Sequence, residues 1–322
     1  MKAAMVFLAS AALVCASPLA RAADYPSKPI TLMIGFAPGG PSDVMARILT
    51  KKMEEILKQP LVIENRAGAG GSIAGAAVAR AAPDGYTVLL ATGSLLAINV
   101  SLYKNIGYDP EKDFEPIGLI GTQTNVLYLN PSVPATSLAE LIAYAKANPG
   151  KMSFGSGGNG TPAHLAGELL KLEAKIDITH VPFRGTGPAL QAVIGGHVPM
   201  AFNPPSPLLP HIQSGTIRAL AITTLKRTAV LPEVPTIAES GFPGFEATTW
   251  HALVAPAGTP KDVIATLHRA TAATVNDPLV RKALTDLGID VVGGTPEELR
   301  AYVKSEIPKW AEVVRASGAK VD

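Results

Sequence analysis

At 322 residues, with a formal net charge of +2 and 17% charged side chains, the chain is about twice the size of one domain and has no strong charge bias. Nucleic acid and anionic membrane surfaces are therefore excluded as partners drawn by bulk charge, and any anion must be held by local geometry. The single cysteine, Cys15, falls in a removable leader, which excludes disulfides and thiolate chemistry from the mature protein.

That leader is Met1 to Ala22: Lys2, an apolar core from Met5 to Ala16, then Ala20-Arg21-Ala22. It predicts a signal peptide cut after Ala22 and an exported protein. The cut removes Lys2 and Arg21 and no acid, leaving 26 basic side chains against 26 acidic ones. No later segment has the roughly 18 uninterrupted apolar residues of a membrane span.

From Ile30 the chain alternates short apolar runs with amphipathic ones, the pattern of β/α units and mainly parallel sheets. The first unit is the apolar run Thr31 to Ile34, the turn Gly35-Phe36-Ala37-Pro38-Gly39-Gly40 and a helix opening at Pro41-Ser42-Asp43, with Met45, Ile48, Leu49, Met53, Ile56 and Leu57 as its buried stripe. Glycines let backbone N–H groups turn inward, and a helix start adds free donors and a positive dipole end, so this is an anion cradle. Leu61 to Glu64 predicts a strand, Ser72 the cap of a helix running to Ala82, and Thr87 to Ala91 a strand leading into the small polar loop Thr92-Gly93-Ser94.

Pro116 to Leu129 is apolar but broken at Gly121 to Asn125, which reads as the first crossing between two domains. Beyond it, Ser137 and Glu140 predict a capping box. Strands follow at Leu127 to Leu129, Met152 to Phe154, Ile178 to Val181, Val198 to Phe202 and Arg218 to Ile222, with helices from Pro162 and Pro188. The loop Gly155-Ser156-Gly157-Gly158-Asn159-Gly160-Thr161 before Pro162 repeats the cradle, and two such loops facing one another would hold one anion.

Pro232 to Phe245 reads as a return connection and Trp250 to Ala255 as a strand. Thr259-Pro260, Asp277-Pro278 and Thr295-Pro296 each predict a capped helix start, and these C-terminal helices are expected to pack on the first domain. The expected organisation is a leader at 1–22, one lobe from 23–122 with 246–322, a second lobe at 123–245, a hinge of two crossings and a cleft between.

Several motifs compete with a binding cleft. The loop from Gly155 to Gly160 fits a dinucleotide fingerprint, but the next strand ends Val181-Pro182-Phe183-Arg184 without the acid a ribose needs. Ser101-Leu102-Tyr103-Lys104 fits S-x-x-K without its partner motifs. The six histidines show no metal-ligand spacing, so neither metal nor cofactor is expected. His164, one turn into the second cradle's helix, either reaches a ligand or braces the loop. Arg184 would emerge at the carboxyl end of its strand, as a carboxylate clamp or a surface ion pair. Trp250 suits core packing better than ligand contact. No base stands beside a nucleophile in the sequence pattern, which argues against an enzyme.

Taken in order, several segments resemble the Bug, or tripartite tricarboxylate transporter receptor, family of extracytoplasmic solute-binding proteins. They include Tyr25 to Ile30, Phe36 to Gly40, Glu64-Asn65-Arg66 with Gly68 to Gly71, Pro83 to Thr87, Gly185 to Ala189, Leu231 to Thr236 and Ala255 to Pro260. The resemblance implies an α/β, two-lobed periplasmic-binding-protein fold that closes on a small organic carboxylate without catalysis. It implies ligand contacts from the loops carrying Phe36, Ala37, Gly39, Gly40, Ser42, Asp43, Thr92, Ser94, Ser156, Gly157, Gly158, Thr161 and His164, with Arg184 and Asn203. The last two stand where the family usually has Lys and frequently an acid. It further implies a periplasmic monomer delivering to a permease of one large and one small subunit; a sensor subunit and an exported enzyme are the alternatives.

Overall fold

The computed structural model describes residues 25–183 and 185–319. The leader with its cut after Ala22, and Arg184, lie outside the described residues. The first half of the chain builds β1 (Ile30–Ile34), α1 (Pro41–Leu57), β2 (Leu61–Asn65), a 3-10 turn at Ala69–Gly71, α2 (Ser72–Ala79) and β3 (Thr87–Thr92). A π turn at Ser94–Ile98 then runs into α3 (Asn99–Leu102) and β4 (Phe114–Gln123). A second array follows: β5 (Val126–Leu129), α4 (Leu138–Ala147), β6 (Met152–Ser156), α5 (Pro162–Ala174), β7 (Ile178–Pro182), α6 (Thr186–Ile194), β8 (Met200–Asn203), α7 (Leu209–Gln213) and β9 (Arg218–Ile222). The chain returns through β10 (Thr249–Pro256), α8 (Lys261–Asn276), α9 (Pro278–Asp286), β11 (Ile289–Gly294) and α10 (Pro296–Ser317). Among the described residues no helix is long and apolar enough to cross a membrane.

Two sheets result, ordered β11-β4-β10-β3-β1-β2 and β7-β6-β8-β5-β9. Each is mixed, where the alternation of runs suggested mainly parallel pairing. Only β2-β1-β3 and β7-β6-β8 are parallel, joined by crossover helices; β10, β4, β11, β5 and β9 pair antiparallel. The antiparallel members include those that carry the chain between sheets, so their direction is set by the path of the chain and not by local pattern.

That path has two crossings, and they lie side by side. Strand β4 continues through Gly121 to Gln123, so the first crossing is only Thr124-Asn125, shorter than the polar break in the sequence. Asn125 N–H donates to Thr223 Oγ1 at 2.9 Å, and Thr223 N–H donates to Asn125 O at 3.0 Å, pinning the first crossing to the start of the second. Thr124, Asn125, Thr223 and Thr224 are all buried, and their hydroxyls and the backbone N–H groups of Asn125 and Thr223 are paired within the crossings instead of with water.

One hydrophobic core is shared by both sheets, from Met33 and Leu89 through Phe154 and Phe202 to Trp250 and Trp310. Helices α8 and α9 cover the first lobe as expected, but α10 packs on β4, α3 and also on α5 of the second array. The stripe of α1 buries Met45, Leu49, Met53 and Leu57, while Ile56 is exposed.

Local starts follow the capping rules with informative exceptions. Thr295 and Glu298 form a reciprocal capping box, and Asp277 accepts from the Leu279 and Val280 N–H groups. Ser72 is not a cap: Gly70 and Gly71 reach the helix through positive φ, which leaves Ser72 already helical behind Gly71, and α2 stops at Ala79. Pro260 takes the cap position expected for Thr259, whose hydroxyl donates to Pro256 O. Helix α6 starts at Thr186, ahead of Pro188. Glu140 reaches back to Thr136 and not to Ser137, although Ser137 Oγ does accept from Glu140 N–H.

Candidate functional site

The carboxyl ends of β1, β3, β6, β7 and β8 point toward one cavity of about 290 Å³ between the sheets, the position at which open α/β sheets bind ligands. From the first array it receives Phe36 and Ser42 of the β1–α1 loop, Thr92 and Ser94 after β3, and Asn99 and Tyr103 of α3. Gly35 lets this wall form, because a Cβ there would sit 2.5 Å from Gly71 Cα, where two loops meet backbone to backbone. The second array supplies Gly157, Asn159, Gly160 and Thr161 before α5, Gly185 and Thr186 at the start of α6, and Asn203 at the end of β8. The crossings close one side with Gln123, Asn125, Thr249 and His251.

Pro41 and Ser42 of α1, Pro162 and Ala163 of α5 and Thr186 of α6 all line the cavity, so three helices present their positive ends to it. Among the described residues, no Lys, Arg, Asp or Glu lines it. Thr92 Oγ1, Asn125 Nδ2, Asn203 Oδ1 and His251 Nδ1 are fully buried without a hydrogen-bond partner; of the described residues only Thr274 Oγ1 shares that state elsewhere. An unpaired buried polar atom costs about 1–3 kcal/mol, and four of them belong to residues that line this one cavity.

Several residues expected at the ligand are placed behind this wall. Asp43 is 2% exposed and accepts from Arg47, the Gly39 N–H and Asn65 Nδ2. The Arg47 and Gly39 bonds hold its carboxyl down to about 2. Gly40 N–H is spent on Ala37 O, so Ala37, Gly39 and Gly40 shape the loop and do not line this cavity. Gly158 N–H is spent on Ser156 Oγ at 3.2 Å, and the Thr161 hydroxyl donates to Gly158 O at 2.8 Å. His164 braces the loop: its Nδ1 accepts the Gly160 N–H at 3.1 Å, and its ring stacks on His180 with centroids 3.8 Å apart. The donors of the second cradle are thus largely used to hold the loop's shape. Its helix start, with Gly157, Asn159 and Gly160, remains at the cavity.

A serine–histidine contact does exist, where the sequence pattern suggested none: Ser156 Oγ lies 2.7 Å from His180 Nε2. Ser156 is fully buried and also bonded to Gly158 O, and neither residue lines the cavity. Burial and the neighbouring His164 push His180 down to about 3. The contact is a brace whose serine is fully buried, not an accessible nucleophile with its base. Trp250 is fully buried in the core and away from the cavity, as its size suggested.

His251 is likewise held down, to about 4, by burial alone. Both imidazoles are neutral in the fold, while the unfolded chain takes up protons below about 6.5, so stability falls as pH drops from about 6.5 toward 4. At about 1.4 kcal/mol per pH unit per group, discounted because His180 is only partly buried, moving from pH 7 to pH 5 is expected to cost about 2–4 kcal/mol. Urea melts at the two pH values measure it, and His251→Gln should remove about half the difference.

Two α/β lobes with facing loops at the carboxyl ends of their strands, joined by paired crossings, define a receptor of the periplasmic-binding-protein class. The tripartite tricarboxylate transporter family receptor model matches residues 45–319, and the chain belongs to that family. It is 40% identical over 317 residues to protein BugT of Bordetella pertussis, spanning 98% of this chain and 96% of that one. Rpa4515 of R. palustris, solved with adipate, is 36% identical with a TM-score of 0.79, covering 92% of this chain and 100% of its own. MatC of Rhodopseudomonas palustris, solved with bound malate, is 36% identical with a TM-score of 0.75, covering 90% and 100%. The family consists of periplasmic solute-binding receptors and not of enzymes.

The sequence reading passed over Gln123, Asn99, Asn125, Thr249 and His251, which line the cavity from α3 and the crossings. A signal was available: Gln123, Asn125 and His251 are polar residues inside otherwise apolar runs, and a buried polar side chain needs a partner.

Proposed function

We propose that this protein captures a small organic carboxylate between its lobes without altering it, closes about the paired crossings and delivers it to a tripartite tricarboxylate-type permease of one large and one small membrane subunit. It acts as a periplasmic monomer after its leader is cut following Ala22, with lobes at 23–122 plus 246–322 and at 123–245. The observation that carries this reading is that three helix N-termini, and four residues with an unpaired buried polar atom, line a cavity with no charged side chain among its described lining residues. Ser42, Thr92, Ser94, Asn125, Gly157, Thr186 and His251 are the proposed contacts, with Asn203 behind them donating to Tyr128 and Thr186.

Neutral, pre-oriented donors suit a carboxylate because they need not be desolvated as charges. Charge-assisted bonds of about 1.5–3 kcal/mol each and helix-end terms of about 0.3–1 oppose an association cost of about 4–15, so a micromolar affinity, about −8 kcal/mol, is expected. A thermal-shift screen of mono-, di- and tricarboxylates, amino acids and aromatic acids tests it. A ligand at a thousandfold its dissociation constant adds about 4 kcal/mol, a rise of several degrees. A screen in which no carboxylate raises the melting temperature, or recovery of a chemically changed ligand, would overturn the proposal.

A further inference from the structure

A second cavity of about 280 Å³ lies directly beside the first. Pro41, Gln123, Thr186, Pro204 and His251 line both, so the two spaces meet at these side chains, the doorway of the proposal below. The character changes across that doorway. Beyond it the surface is mainly hydrocarbon: Val44 and Met45 of α1, Leu287 and Ile289 before and in β11, and Pro207 after β8. Val44 is 37% exposed, an apolar side chain on α1 that faces this recess instead of the core. Gln123, the amide at the doorway, is already committed, donating to Leu287 O at 2.9 Å.

We infer that the ligand is an elongated monocarboxylate with an apolar or aromatic tail, its carboxylate in the polar cavity and its tail through the doorway in the second chamber. The inference rests on the carboxylate reading above and narrows it. The α5 start at Ala163 and Ser42 of α1 face the first chamber alone, while Pro41 and Thr186 bring the starts of α1 and α6 to the doorway, so the acid head is oriented to the first-chamber side. Beyond the doorway, Ser206 is the one polar side chain in the second chamber's described lining, so a second carboxylate there would have to shed its water for little return. A hydrocarbon tail gains there, and because Val44 and Leu287 come from one lobe and Pro204 and Pro207 from the other, filling the chamber also favours closure.

The test is a calorimetric series on the purified chain: butanoate, hexanoate, octanoate, 4-phenylbutanoate and the diacid octanedioate. Affinity should rise about threefold to fourfold for each added methylene, with octanoate and phenylbutanoate well ahead of butanoate and of octanedioate. Val44→Trp, a change at a partly exposed position, should fill the chamber and lower the octanoate-to-butanoate affinity ratio at least tenfold. Butanoate binding by the same variant reports that the fold is intact. Affinity that is flat or falling with chain length, octanedioate binding more tightly than octanoate, or an unchanged ratio in Val44→Trp overturns the second chamber while leaving a carboxylate receptor standing. Failure of every acid, short or long, overturns the receptor reading itself.

Discussion

Titrated at pH 8 with a carboxylate that the parent binds, Asn125→Asp is expected to bind at least a hundredfold more weakly and to recover as the pH is lowered toward 6. The substitution is isosteric and leaves in place both bonds that the residue-125 backbone makes to Thr223, one to its Oγ1 and one from its N–H, so the pinning of the crossings is kept. It exchanges a buried, unpartnered amide donor at the cavity for a carboxylate. Losing one charge-assisted bond removes about 1.5–3 kcal/mol, and two like charges about 4 Å apart at an effective dielectric of about 20 add about 4 kcal/mol. Their sum exceeds the 2.7 kcal/mol or so that a hundredfold requires. Burial raises the introduced carboxyl above its ordinary value near 3.9, so acidification neutralises it and restores a donor. The parent has no such group and its affinity should be nearly level over the same range. Affinity within about threefold of the parent at pH 8 would place the carboxylate elsewhere.

Much of this architecture can be read from residues alone, and the failures have physical causes. The two cradles, the helix starts at Pro162, Pro278 and Pro296 and the core role of Trp250 are local consequences of glycine, proline and apolar spacing. Ligand assignments on those loops are less legible, because a loop's donors face either an occupant or the loop's own interior. Asp43 belongs to the first turn of α1 yet folds back on Gly39, and His164 belongs to the first turn of α5 yet folds back on Gly160. Sequence spacing does not separate those directions. The crossing residues are hidden for another reason. Asn125 and His251 are 126 positions apart in the chain and become neighbours of one cavity only because β10 inserts between β3 and β4. That insertion is also what makes the sheets mixed.

The largest stability loss is expected at Glu306, which does not line the candidate cavity. Its carboxylate is 3% exposed, and Oε2 accepts from two indoles, Trp250 Nε1 at 3.2 Å and Trp310 Nε1 at 2.8 Å, while Oε1 accepts from Lys309 at 2.7 Å. Both tryptophans are fully buried, and Gly93 must lack a side chain because a Cβ there would come within 2.6 Å of Trp250 Nε1. The carboxylate thereby ties β10, the strand returning from the second lobe, to α10, the helix that packs on both arrays. Replacing a whole buried ion pair with hydrocarbon is often neutral, but Glu306→Leu removes one member and leaves two buried N–H groups and a cation behind. Lys309 is partly exposed and can turn to water, so the loss comes from the two unpaired indoles, at about 1–3 kcal/mol each, a large share of the roughly 5–15 kcal/mol that holds a domain folded. Glu306→Gln retains an acceptor for the indoles and should lose clearly less. Chemical melts of the two variants beside the parent decide the matter: a Leu variant within about 1 kcal/mol of the parent, or a Gln variant as unstable as Leu, would mean that the indole–carboxylate tie does not hold β10 to α10.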